Sequence, residues 1–108
     1  MAYDTELAER IRELVATEII VEKAMFGGLA FLVNGNMSVA ASGQGGLLVR
    51  VDPNEAAGLI GDRAEPMVMR GREMTGWLHV VVDSDEELAE WVRRGVDYAK
   101  SLPPKKGR

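Results

Sequence analysis

The sequence predicts an α+β fold of two layers. An antiparallel sheet of five or six strands carries helices at both termini and one short helix between strands, roughly α-β-β-β-α-β-β-α. Three observations predict it. Apolar residues near both ends recur at the helical period, and the stretch between them breaks into short apolar or alternating runs. Those runs follow one another through turns too short for a crossover, so neighbouring strands run antiparallel. At 108 residues the chain has length for one core and not two. Residues 1–102 are assigned to a single domain and the closing P-P-K-K-G-R, 103–108, to a disordered tail.

Asp4 or Thr5 caps a first helix, in which Leu7, Ile11, Leu14 and Val15 share one stripe while the opposite face is charged. From about Ile20 the pattern turns extended, through a short first strand and then residues 29–33, 36–41 and 47–51. Asn34-Gly35 lies between two apolar runs and predicts a type I′ turn, whose central residues both need φ > 0. Gly27-Gly28 suits a bend, a bulge or the close approach of another backbone. Asp52-Pro53-Asn54-Glu55 reads as a helix start, with Asp52 as N-cap and Pro53 at the first helical position; that helix stops near Gly61. Residues 67–70 and 77–82 then form a second hairpin across G-R-E-M-T-G. Ser84-Asp85-Glu86-Glu87 is a capping box opening the last helix, where Leu88, Trp91, Val92, Gly95, Val96, Ala99 and Leu102 keep one apolar face until Pro103. Leu7, Ile11, Leu14, Leu88, Trp91, Val92 and Val96 are the expected helical share of the core.

A content of 46% hydrophobic and 28% charged residues excludes global disorder. No apolar run approaches the ~20 residues that span a bilayer, and the opening M-A-Y-D-T-E-L-A lacks the regions of a signal peptide, so a cytoplasmic protein is expected. The absence of cysteine removes disulfides, thiolate metal sites and cysteine nucleophiles. A net charge of -4 gives no long-range attraction to nucleic acid.

Alternation assigns faces. Across a two-residue turn, Ala30, Leu32, Met37 and Val39 share an apolar face that is expected to meet the helices, and Leu29, Phe31 and Val33 share the other with Asn36 and Ser38. Burying Leu47, Val49 and Val51, and Leu78, Val80 and Val82, turns Arg50, Trp77, His79 and Val81 outward. The open sheet face is therefore expected to carry Leu29, Phe31, Val33, Arg50, Trp77 and His79. A surface that apolar is a candidate interface with a partner or a second copy, a site for a ligand, or a face covered by another segment of the chain.

Catalytic patterns are sparse. His79 is the only histidine, and the sequence places no carboxylate to orient it. Ser38 and Ser42 lack a G-x-S-x-G setting, and one histidine with scattered carboxylates matches no metal-ligand spacing, so no catalytic residue, metal or cofactor is expected. Ser42-Gly43-Gln44-Gly45-Gly46 leads into a strand, where a phosphate cradle would lead into a helix, and reads as a hairpin loop. Met67, Met69 and Met74 read as core fillers or an adaptable surface. Lys23, Arg50, Arg63, Arg70 and Arg72 read as a solvated surface or an anion patch.

The stretches M-F-G-G-L-A-F-L-V-N-G-N-M, L-L-V-R-V-D, G-R-E-M-T-G-W and Y-A-K-S-L-P-P-K together resemble the TfoX N-terminal domain family, from about Leu7 to Lys105. The resemblance implies a two-layer α+β domain. In two-domain relatives this domain precedes a C-terminal one, and those proteins regulate natural competence genes alongside the cAMP receptor protein. A stand-alone N-terminal domain is expected here, non-enzymatic and regulatory, with itself (as a homodimer) or a regulatory protein as partner. Two alternatives stand beside it. One is a nucleic-acid accessory module using Arg93, Arg94, Lys100, Lys105, Lys106 and Arg108; the other is a small-molecule site around Arg50, Trp77 and His79.

Overall fold

Asp4 opens the chain's first helix because its carboxylate accepts the backbone N–H groups of Glu6 and Leu7, at 3.0 and 3.2 Å, which the helix itself leaves unpaired. A computed structural model describes residues 4–16, 18, 20–25, 28–43, 45–61, 63–69 and 71–103, without the side chains of residues 25, 69 and 72–75. The elements run α1 (Thr5–Leu14), β1 (Ile20–Met25), β2 (Gly28–Val33), β3 (Asn36–Ala41), β4 (Leu47–Arg50), α2 (Pro53–Leu59), β5 (Ala64–Met69), β6 (Arg72–Val80) and α3 (Asp85–Ser101). The fold is α+β with helices at both ends, as expected. The sheet has six strands, within the five or six expected, and four of them precede α2, as the extended runs from Ile20 to Val51 read. Its order is β1-β2-β3-β4-β6-β5, with every neighbouring pair antiparallel.

Local chemistry sets the other element ends. Asn34 and Gly35 take φ values of 54° and 81°, the pair of positive angles that a type I′ turn requires. Asp52 caps α2 through the N–H of Asn54, and Pro53 supplies the first helical residue. Ser84 accepts the Glu87 N–H at 3.2 Å to start α3; the Glu87 carboxylate reaches back one residue further than expected, accepting the N–H of Asp83 at 2.9 Å. The second hairpin differs more. β6 begins at Arg72, so most of the stretch expected as a turn is strand, and the register slips between Pro66 and Val68 to absorb it.

The core lies between the sheet and the helices. Leu7, Ala8, Ile11 and Val15 of the first helical segment and Leu88, Val92, Val96 and Ala99 of α3 pack on Leu29, Phe31, Val33, Val39, Ala41, Leu47, Val49, Val51, Leu78 and Val80. Ala56 and Leu59 bring α2 to the same side. Two expected core members stand outside it: Leu14 is 43% exposed because Val15 and Ala8 complete the stripe instead, and Trp91 packs against the core only in part. Gly95 lets α3 settle on β3. A Cβ there would sit 2.6 Å from the Ser38 carbonyl oxygen and 2.7 Å from a Val39 methyl, far inside contact distance. Gly28, likewise, leaves room for the backbone of Ala41, one of the three uses expected of the glycine pair; Gly27 lies outside the described residues.

Candidate functional site

One bulge decides which residues form the open face. The β2–β3 ladder runs Val33↔Asn36 and Leu32↔Met37, then jumps to Phe31↔Val39, so Ser38 has no partner opposite it. Beyond that point each residue of β3 lies on the face opposite to simple alternation. Val39 joins Phe31 in the core, and Met37 joins Leu32 outside it. The two polar residues that marked a solvent face are in fact buried with partners. Ser38 donates its hydroxyl to the Phe31 carbonyl at 2.8 Å, and the Asn36 amide donates to the Pro103 carbonyl at 3.0 Å, beyond the end of α3.

The expected face is corrected accordingly. Leu29, Phe31 and Val33 are 7%, 0% and 4% exposed and belong to the helix-covered core. Trp77 and His79 do lie on the open side, since Leu78 and Val80 between and beyond them are buried against the helices. Arg50 pairs with Trp77 across the ladder, yet its guanidinium carbon stands 5.9 Å from the ring centroid of Tyr98 on α3, so its charge sits at the helix layer.

A second apolar cluster occupies the open face in their place. Ala30, Ala40 and Leu48 are buried, flanked by the half-buried Leu32, Met37, Met67 and Trp77. All three helices contribute to the first cluster; among the described residues none contributes to the second. Pairing places one row straight across the sheet on this side: Lys23, Ala30, Ala40, Leu48, His79 and Glu65, one from each strand. Val21, Leu32 and Met37 form the beginning of the next row, with Trp77 and Met67 toward its other end.

His79 gains the carboxylate that the sequence could not place. Glu65 is its cross-strand partner, with Oε2 4.0 Å from Nδ1, and Nε2 lies 2.8 Å from the Gly45 carbonyl oxygen. A carbonyl only accepts, so Nε2 carries the hydrogen. The ring is thereby tied to the β3–β4 loop, which the Gly45 N–H and Ser42 carbonyl close at 3.1 Å. The small-molecule trio does not assemble. His79 borders an open groove of about 350 Å³ with Asp4, Arg10, Gly46 and Val82, whereas Arg50 turns toward Tyr98.

Arg93 and Arg94 border one groove, and other basic residues have partners of their own. Arg63 pairs with Asp83 and Glu87 at 2.7 and 2.8 Å, Lys100 pairs with Glu18 at 3.2 Å, and Arg94 stacks 5.4 Å over the Trp91 ring. Arg70, Lys105, Lys106 and Arg108, the closing tail from residue 104, and the side chains of Met69, Arg72 and Met74 lie outside the described residues. Among the described residues no group of three or more His, Cys, Asp or Glu could hold a metal ion, and no helix is long and apolar enough to cross a membrane.

These features define a two-layer α+β domain with a six-stranded antiparallel sheet, the described helices on one face, and an apolar cluster on the other. The chain belongs to the TfoX N-terminal domain family, whose model matches residues 13–99. No curated protein and no solved structure matches it.

Proposed function

We propose that this domain works by protein contact, as a non-enzymatic regulatory module, and that the contact surface is the open sheet face bearing Leu32, Met37, Leu48, Met67 and Trp77. One observation carries the proposal: among the described residues no helix packs on the cluster of that face, although its members are as apolar as a core. Trp and Met are also side chains enriched where proteins meet, and Trp77 stands among them. The regulatory part follows from kinship with the N-terminal domain of two-domain competence regulators, an analogy of family and not of site.

The test separates contact from folding. Leu32→Asp and Trp77→Asp are expected to melt within a few degrees of the parent, because each side chain is only half-buried on a bare face. Immobilised parent domain should retain one or more proteins from native lysate that both variants release. Equal retention by parent and variants would remove this face from the function.

A further inference from the structure

We propose that the open face closes on a second copy of this chain, face to face, about a two-fold axis that runs parallel to the strands and passes between β3 and β4. This rests on the contact-face reading above and names its partner. The basis is the row Lys23–Ala30–Ala40–Leu48–His79–Glu65. It begins with a cation on one edge strand and ends with an anion on the other, and both side chains are exposed.

In strand order the axis divides the sheet into β1-β2-β3 and β4-β6-β5. Rotation about it lays β1 of one copy over β5 of the other, β2 over β6, and β3 over β4. Lys23 of each copy then meets Glu65 of the other, twice per dimer. The centre of the row is complementary in size as well. Ala30 and Ala40 make a shallow floor on β2 and β3, and the second copy's His79 and Leu48 are the larger side chains brought above it. In the neighbouring row, Leu32 faces Trp77 and Val21 approaches Met67.

A two-fold axis across the strands is the competing arrangement. It lays β1 over β1 and β5 over β5, bringing lysine toward lysine and glutamate toward glutamate, which costs where the first arrangement gains. Charge therefore selects the axis, and the apolar rows supply the attraction. Sheets packed face to face in aligned fashion lie ~10 Å apart with strand directions about 30° from parallel. One six-stranded face at ~4.8 Å per strand is ~24 Å wide, which places the interface near the small end of specific contacts.

Sedimentation equilibrium on the whole chain, with thermal melts of every variant, tests this. The parent should dimerise with concentration. Lys23→Glu and Glu65→Lys should each raise Kd roughly tenfold, because two exposed pairs become two like-charge contacts. The double variant should return Kd to about the parent value, since the pairs are restored with signs reversed. Singles that leave Kd unchanged, or a double variant as weak as the singles combined, would overturn the axis. A parent that stays monomeric would overturn the second copy as partner and leave the contact face standing for a different protein. A dimer that survives Leu32→Asp would overturn the contact face itself.

Discussion

The two faces of this sheet are made by adjacent residues of the same strands and differ in what closes them. On one, Phe31, Val39, Val49 and Leu78 lie beneath α1 and α3 and meet side chains from a second layer. On the other, Ala30 is just as inaccessible, at 0% exposure, and the described side chains packed around it all come from its own sheet. Burial alone does not make a core. An alanine floor shielded from the sides keeps a water-facing rim, and that rim can accept a charge or a partner. A side chain pressed between layers can accept neither without displacing a helix.

Gly95 gives the largest expected break in this contrast. Gly95→Val forces a side chain into the Ser38 carbonyl and Val39, so α3 must lift from β3 at a cost of about 3 kcal/mol. Gly58 of α2 has open space around it, and Gly58→Ala should stabilise by up to ~1 kcal/mol through helix propensity. Urea unfolding of the two variants gives the comparison directly. Equal and small effects would mean that α3 does not rest on the bulge.

Trp91 is expected to matter less than its size suggests. It is only partly buried against the core, and the Arg94 guanidinium lies 5.4 Å from the ring centroid, so Trp91→Ala should cost about 2 kcal/mol, against the roughly 3–5 expected of a fully buried aromatic. A loss within error would remove it from the covered layer altogether.

The smallest effect is at the edge of the covered side, where α1 is pinned to β1. Arg12 donates from Nε and Nη2 to the two oxygens of Glu22 at 2.6 and 2.9 Å. Those hydrogen bonds hold the Glu22 carboxyl below the usual carboxylate range, with slight burial opposing and the Arg12 charge assisting. Because the folded value is lowered, the stabilisation is complete above the unfolded value of about 4.3 and is lost as pH falls through the folded one. The pair is largely solvated, so Glu22→Gln should cost under about 1 kcal/mol at pH 7. Melting curves of parent and variant should converge as pH falls through the lowered folded value of Glu22; a gap that persists once the carboxyl is protonated would assign the effect to packing and not to charge.

Much of this architecture is legible in the chain, and the failures have one origin. Caps at Asp4, Asp52 and Ser84, the Asn34-Gly35 turn and the alternation of residues 77–80 each depend on neighbours in sequence, and all are realised. Face assignment on β2 and β3 depends on an unbroken ladder, and Ser38 breaks it. No local signal marks that bulge, because a serine on the solvent side and a serine bonded to the Phe31 carbonyl look alike in sequence. Asn36 misleads in the same way, its partner being 67 residues away. The Glu65–His79 pair and the row from Lys23 to Glu65 required the strand order, which brings β6 beside β4 and pushes β5 to the edge. Arg50 was visible as an outward residue, but its turn toward Tyr98 depends on where α3 crosses.

Phe31 and Leu32 sit next to each other and point to opposite layers, so a charge placed at each in turn measures the contrast between the faces most directly. Thermal melts and sedimentation of Phe31→Asp and Leu32→Asp should diverge. Phe31→Asp is expected to be unfolded at 25 °C, since it buries a carboxylate under the helices. Leu32→Asp is expected to fold with a Tm within a few degrees of the parent and to remain monomeric at concentrations where the parent associates. Both variants unfolding, or Leu32→Asp folding and associating like the parent, would contradict an open contact face.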